Sequence, residues 1–169
     1  MRGRQNAFAV VVLFSALLGQ VCIVNRLPLP IGPPDVLVVF VIAFALVGGP
    51  QRGAVIGFAV GLTADLMPPS DHLAGRLAFA YTLVGYFAGL LEDVEERSVL
   101  TTIVVVALGA SVSVLVYAGL GVLVGDPTVT VHATTQALVA TVVYDVILAP
   151  FVVPLVSAAS HRLEPAGLR

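Results

Sequence analysis

One acidic residue stands out in this chain, because Asp145 lies in the middle of an apolar stretch that reads ATVVYDVILAPFVVP. A carboxyl group in such surroundings could carry a proton in a transport relay, or it could act as a buried hydrogen-bonding group. A relay would require a series of such acids, and this position offers only one. We therefore expect Asp145 to face the interior of a helix bundle. The candidate hydrogen-bond donors are Tyr81, Thr82, Tyr86, Ser111 and Ser113.

Motifs of enzymes are absent from the sequence. There is no P-loop, no G-x-S-x-G turn and no metal-ligand spacing, and the three histidines are scattered. Cys22 is the single cysteine, so an internal disulfide is excluded. We expect no catalytic residue, cofactor or metal, and no nucleic-acid partner.

A second group of polar residues is predicted to gather at one end of the bundle. Asp35 follows Pro33 and Pro34, where a carboxylate can cap a helix N-terminus. Asp65 precedes a proline-rich loop, and it is either a structural pin to the next helix, with Arg76 within reach, or a contact for a partner protein. The predicted outer-face cluster consists of Arg26, Asp35, Asp65, Asp71, His72 and Arg76.

The composition identifies the elements that must position these residues. Hydrophobic residues make up 59% of the chain and charged residues 11%, and the mean hydropathy is +1.05. A stretch such as residues 99–124 contains no charged residue, and about 20 helical residues span the hydrocarbon core of a bilayer. The sequence therefore predicts an integral membrane protein.

Glycine, proline and charged residues divide the chain into six apolar segments. We predict an all-α membrane protein, a bundle of about six transmembrane helices forming one domain over residues 1–169. The first segment is expected to be a retained helix rather than a signal peptide, since no cleavage site follows it. The segments are residues 7–24, 35–47, 52–67, 77–91, 99–124 and 133–159.

The distribution of arginine predicts the orientation in the membrane. With six helices and a cytoplasmic N-terminus, only Arg26 and Arg76 lie outside, which agrees with the positive-inside rule. We therefore expect a multi-pass protein of the plasma (inner) membrane with both termini in the cytoplasm. The arginines then on the inner side are Arg2, Arg4, Arg52, Arg97, Arg162 and Arg169.

Glycine recurs at every fourth residue in the third segment, and a second pair follows in the fourth. Small residues at this spacing let two helix backbones approach closely within a bilayer. The stripe is thus predicted to be a contact surface, either within the chain or with another protein, while Val60 on the opposite side could face lipid. The glycines concerned are Gly49, Gly53, Gly57, Gly61, Gly85 and Gly89.

These features together resemble the rod shape-determining protein MreD family. The resemblance is clearest over residues 33–91. It rests on Pro34-Asp35 opening a short helix, on Pro50 and Arg52, on GxxxGxxxGLxxDL ending at Asp65-Leu66, and on the glycine-containing helix after Gly75. It implies a non-enzymatic inner-membrane scaffold of the cell-elongation complex. The implied partners are a bitopic MreC-like protein and, through it, the cell-wall glycosyltransferase, the transpeptidase and MreB filaments, besides membrane lipid.

The same family is similar in fold to the substrate-binding S components of energy-coupling-factor vitamin transporters, which provides the alternative function. An S component should present an outward cavity with several converging hydrogen-bonding groups. The few polar residues in the apolar segments favour the scaffold. Homodimerisation and the binding of a lipid or a wall precursor stay open at this point.

Overall fold

A computed structural model describes residues 2–26, 28–29, 32–67, 74–92 and 98–162, with side chains from residue 10 to residue 160 of these ranges. All regular structure in these ranges is helical. The helices are α1 (Arg2–Cys22), a 3-10 turn (Val24–Arg26), α2 (Val36–Leu66), α3 (Arg76–Gly89), α4 (Val99–Leu123) and α5 (Val131–Arg162).

By length and composition alone, three helices in the described part of the chain are sufficient to cross a membrane. The spans are Val36–Leu66, Val99–Leu123 and Val131–Ser160. The apolar part of the N-terminal helix is shorter, and α3 has 14 residues. At 1.5 Å per residue α3 rises only about 21 Å, less than the roughly 30 Å of a bilayer core. The predicted all-helical membrane architecture is confirmed at this level.

Helix α2 is sharply bent at Gly49, which has φ 80° and ψ 177° and is followed by Pro50. A Cβ atom built on Gly53 would lie 2.6 Å from the Cβ of Ala45. Positions eight residues apart on a straight helix are separated by about 12 Å. The two arms, residues 36–48 and 50–66, therefore fold back on each other as a hairpin.

The predicted count of six helices is not confirmed, because the second and third apolar segments form this one bent element. The sequence suggests a connection of several residues between them, whereas a single residue makes the turn. Glycine permits it because a positive φ costs glycine little. Among the described residues there are five α-helices, with α2 divided into two arms.

The first arm of α2 occupies the centre of the bundle. Its residues Val38, Val39, Val41 and Ile42 are fully buried. Side chains of α3, α4 and α5 join this core, among them Val84, Val106, Ala110, Ala149 and Val153. A helix that is buried on every side is apolar all round, which explains why this arm shows no polar face.

The outer faces of α4 and α5 carry exposed apolar stripes. On α4 they include Val104, Leu108, Val112 and Leu115, and on α5 Val143, Ile147, Phe151 and Leu155. Surfaces of this kind are typical of contact with lipid or with another membrane helix. Val60 does not belong to them: it is 7% exposed, and the expectation that it faces lipid is wrong. On the second arm of α2 the large exposed apolar residues are Val55, Phe58 and Leu66.

Candidate functional site

The predicted glycine stripe lies at the contact between the second arm of α2 and α3. A Cβ atom on Gly57 would lie 2.1 Å from the carbonyl oxygen of Tyr81, and one on Gly53 would lie 2.2 Å from that of Gly85. Gly61 meets the backbone of Leu77 and Ala78 in the same way.

The remaining two glycines close the same contact at its other end. A Cβ on Gly89 would lie 2.5 Å from the backbone of Gly49 and Pro50. We call this contact the glycine seam. It consists of Gly49, Gly53, Gly57, Gly61, Gly85 and Gly89. Since α3 of the same chain fills it, the seam is an internal contact, and no second protein can occupy it.

Asp65 joins α2 to the beginning of α3. Its carboxylate accepts hydrogen bonds from the backbone N–H groups of Gly75 at 2.8 Å, Leu77 at 3.0 Å and Ala78 at 3.1 Å. These are N–H groups of the first turn, which have no partner within the helix. Asp65 is 1% exposed, so it acts as a buried cap on the neighbouring helix.

Arg76 forms a separate link, from α3 to α4. Its guanidinium donates to the carbonyl oxygen of Tyr117 at 3.1 Å and to the carboxylate of Asp126, and it lies 3.9 Å above the Tyr117 ring. Hydrogen bonds from Thr128 and from Arg76 lower the pKa of Asp126 from 3.8 to about 2. The sequence analysis placed Arg76 within reach of Asp65, and the structure shows it bound to Asp126, a residue that the sequence did not single out.

Asp35 stands at the start of α2 and connects three helices. Its carboxylate accepts from the Val38 N–H, as a capping residue does, and from the Tyr81 hydroxyl at 2.7 Å. Its own backbone N–H donates to Oδ1 of Asp145 at 3.1 Å. We call Asp35, Tyr81 and Asp145 the buried triad. Capping explains the position of Asp35. The same position also brings the carboxyl groups of Asp35 and Asp145 into one hydrogen-bond network.

Asp145 faces the bundle interior, as predicted, and is 0% exposed. Among the described residues Oδ1 has the Asp35 N–H as partner, and Oδ2 has none. The expected side-chain donors are engaged elsewhere. Tyr81 donates to Asp35, Tyr86 is exposed, and Thr82, Ser111 and Ser113 donate to carbonyl groups of their own helices.

Gln20 joins α1 to the backbone on either side of Asp35, and sequence reasoning missed it. Its amide donates to the Pro34 carbonyl at 2.8 Å and to Asn25 Oδ1 at 2.8 Å, and its oxygen accepts from the Val36 N–H at 3.0 Å. A glutamine within an apolar segment could have indicated this contact, since a buried amide requires hydrogen-bond partners.

A cavity of about 760 Å³ opens beside the buried triad. Its rim residues, including Asn25, Arg26, Pro33, Ala133 and Gln136, are exposed, whereas Gln20, Tyr81 and Thr141 in its wall are buried. We call it the triad cavity. Apolar lining comes from Val21, Leu37, Ala64, Met67, Leu77, Ala137 and Ala140.

The predicted outer-face cluster is thus divided among separate contacts at one end of the bundle. Asp65 caps α3, Arg76 binds Asp126, and Asp35 belongs to the buried triad, while Arg26 lies at the rim of the triad cavity. Asp71 and His72 lie outside the described residues. Among the described residues no group of three or more His, Cys, Asp or Glu side chains could hold a metal ion.

A second concavity, of about 590 Å³, lies between α1 and the second arm of α2. We call it the α1 groove. Its walls are almost entirely apolar, with Gln51 and Arg52 at one end and Thr63 at the other. The apolar walls are Val10, Leu13, Phe14, Leu17, Val55, Ile56, Ala59 and Val60.

Comparison with known proteins adds one finding. A family model described as rod shape-determining protein MreD matches residues 3–159, which covers nearly the whole chain. No curated protein and no solved structure matches. The alternative function, an S component of a vitamin transporter, has no support from these comparisons.

Proposed function

The chain belongs to the family of the rod shape-determining protein MreD, and from that membership we propose that it is a non-enzymatic scaffold of the complex that builds the wall of elongating cells. Family membership indicates a role in determining rod shape. The scaffold role is our inference from how the chain uses its polar residues. In the described part, Gln20, Asp65 and Arg76 join helices of the chain to one another.

The partner proposed for direct contact is a bitopic MreC-like protein, which has one membrane-spanning helix. Through it the chain would reach the cell-wall glycosyltransferase, the transpeptidase and MreB filaments. The glycine seam is already filled by α3, so a partner helix requires another surface.

The α1 groove is the observation that supports this proposal most directly. Its rim residues Val10, Phe14 and Val55 are 65%, 54% and 69% exposed, and a small residue, Ala59, lies one helical turn after Val55 in its wall. Helices associate in a bilayer through close packing at small residues. An apolar groove that runs between two helices therefore fits one transmembrane helix.

The test is to fill the groove without disturbing the chain's own packing. Ala59→Trp would occupy the space of the partner helix, and we expect co-purification of the MreC-like partner from gently solubilised membranes to fall about tenfold. A rod-shaped host that depends on this variant should become round. Val143→Trp, on the exposed face of α5, is the matched control.

Equal recovery of the partner with both variants, at equal amounts of folded protein, would reject the groove as the contact surface. Recovery of an ATPase module with its coupling subunit, instead of wall-synthesis proteins, would reject the scaffold itself.

A further inference from the structure

The triad cavity has the size and construction of a small-molecule site. Its volume of about 760 Å³ falls within the range of ligand pockets, roughly 300–1,000 Å³. Five elements contribute to its walls: the end of α1, the 3-10 turn, both ends of α2, the start of α3 and the first turns of α5. Walls made of several packed helices are formed before a ligand arrives, so binding does not have to order them.

Two opposite charges face this cavity, and neither is paired with a charge of the other sign in the described part of the chain. Asp35 lies half-buried in the wall, and Arg26 is exposed at the rim. Neither residue forms an ion pair with another described residue, and the Asp35 carboxylate accepts from the Tyr81 hydroxyl and the Val38 N–H, which are uncharged donors. The described lining is therefore neutral overall, but it carries one uncompensated charge of each sign.

Thr141 adds a hydroxyl group without a partner to the inner wall. The residue is 6% exposed and lines the cavity, yet its side chain makes no hydrogen bond to the described residues. It precedes Asp145 by one helical turn, and Asp145 accepts from the Asp35 N–H, so Thr141 lies at the Asp35 side of the cavity. A buried polar group normally has a hydrogen-bond partner, and here a bound molecule would supply it.

The two charges decide which class of ligand fits. A ligand with a single positive charge would be attracted by Asp35 and repelled by Arg26, and the reverse holds for a single negative charge. A zwitterion compensates both charges, because its ammonium group can donate to a carboxylate while its own anionic group accepts from a guanidinium. Hydrogen bonds between charged groups of this kind are stronger than those between neutral groups.

We propose that the triad cavity binds a small zwitterion, whose ammonium group lies against Asp35 and whose anionic group lies against Arg26. The Thr141 hydroxyl accepts a further hydrogen bond from the ammonium group. The apolar part of the ligand lies on the apolar lining, which includes Leu37 and Met67. An amino acid with an apolar side chain and the headgroup of phosphatidylethanolamine both have this chemistry. The site is independent of the proposed scaffold role, and either can fail without the other.

Phenylalanine and two blocked derivatives test the charges one at a time, because N-acetylphenylalanine lacks the positive charge and phenylalaninamide lacks the negative one. The full chain is placed in nanodiscs of phosphatidylglycerol at mildly acidic pH, where the amine is protonated. We expect calorimetric titration to show phenylalanine binding at least tenfold more tightly than either derivative. Equal or tighter binding of a derivative, or binding of none of the three, would overturn the proposal.

Nanodiscs that contain phosphatidylethanolamine distinguish the two sources of the zwitterion. If the lipid headgroup occupies the cavity, it competes with phenylalanine, whose binding should then be at least fivefold weaker in these nanodiscs. An unchanged affinity assigns the site to a free amino acid. Both results support a zwitterion site, and they differ in the source of the ligand.

Variants of the lining assign the contacts. Arg26→Gln should reduce the tenfold preference for phenylalanine over phenylalaninamide to about one, and Asp35→Asn should do the same for the preference over N-acetylphenylalanine. Each preference is a ratio within one variant, so a smaller amount of folded protein does not change it, and asparagine caps a helix as aspartate does. Thr141→Val should weaken phenylalanine binding at least threefold. Thr135→Val, which removes an exposed hydroxyl bonded to its own helix outside the cavity, should leave binding unchanged. Equal binding by the two threonine variants, or a tenfold preference retained by either charge variant, would contradict the proposal.

Discussion

At the scale of single residues, the position of Asp65 shows how a membrane protein can bury a carboxylate against the backbone N–H groups of a neighbouring helix. The three N–H groups that it accepts belong to Gly75, Leu77 and Ala78, at the positive end of the α3 dipole. The carboxylate thus completes a helix terminus that has no cap of its own, since the residue at that position is glycine.

Removal of this cap should destabilise the chain. Asp65→Ala removes the acceptor of these three N–H groups, of which that of Ala78 is buried and the other two are partly buried, and we expect a loss of about 2 kcal/mol, as for the loss of a strong cap. Thermal unfolding of the purified chain in detergent measures it. Thr63→Ala, which removes an exposed hydroxyl bonded only to the Ala59 carbonyl, is the control and should change little. Equal unfolding temperatures for the two variants would contradict the capping role.

The hydrogen bonds that Asp126 accepts from Thr128 and from Arg76 predict a dependence of stability on pH. The pKa of Asp126 is lowered in the folded chain from 3.8 to about 2. Its contribution to stability is therefore complete above pH 3.8 and is lost as the pH falls through 2. Asp126→Asn cannot titrate, so the stability difference between wild type and this variant should shrink over that interval. A difference that stays constant from pH 5 to pH 2 would speak against the lowered pKa.

At the scale of elements, the glycine seam fixes how closely α3 approaches the second arm of α2. Gly57→Ala would place a Cβ atom 2.1 Å from the Tyr81 carbonyl oxygen, so the helices must move apart. Overpacking of this kind costs about 1–3 kcal/mol, and the amount of folded protein in the membrane should fall accordingly.

Gly119 in α4 is the matched control, because a Cβ atom built there meets nothing within 4 Å. Gly119→Ala should be neutral or stabilising by about 0.5–1 kcal/mol, since alanine favours a helix more than glycine does. If Gly57→Ala were as abundant and as stable as Gly119→Ala, close backbone approach would not be the reason for the glycine spacing.

The elements differ in how far the sequence could predict them. The regular spacing of glycine identified both sides of the seam, because small-residue contacts depend on local periodicity. The bend at Gly49 was not foreseen as a single-residue turn. The Asp35 N–H that pairs with Asp145 lies 110 residues away along the chain, and a backbone donor leaves no mark on residue type. The contact between Arg76 and Asp126 was not predicted either, because the two residues lie 50 positions apart in the sequence.

At the scale of the whole molecule, the hairpin places both ends of α2 on one side. Asp35 and Asp65 lie there together with Arg76, and the bend at Gly49 lies at the opposite end. If α1, both arms of α2, α3, α4 and α5 each cross the membrane, the chain crosses it six times and both termini share a side.

The orientation itself is a prediction from the arginine distribution. We expect the end that contains Gly49 and Arg52 to face the cytoplasm, together with both termini. A reporter fused after Arg169 should give a cytoplasmic signal, and one inserted at Asp71 an external signal. The reverse pattern would place the triad cavity on the cytoplasmic side, and an external C-terminus alone would mean an odd number of crossings.

The hairpin in α2 also has a consequence for how the chain enters the bilayer during synthesis. The first arm, residues 36–48, rises about 20 Å, so it crosses the roughly 30 Å hydrocarbon core only where the bilayer is locally thinned, and the N–H groups that Asp65 accepts belong to residues 75–78 at the start of α3. We therefore expect the insertion machinery to hold both arms until α3 has left the ribosome. A photo-cross-linker at Phe58 should label the machinery in nascent chains stalled with Leu66 just emerged, and lipid once Gly89 is free. Labelling of lipid at the earlier stage would show that the arms are released one at a time.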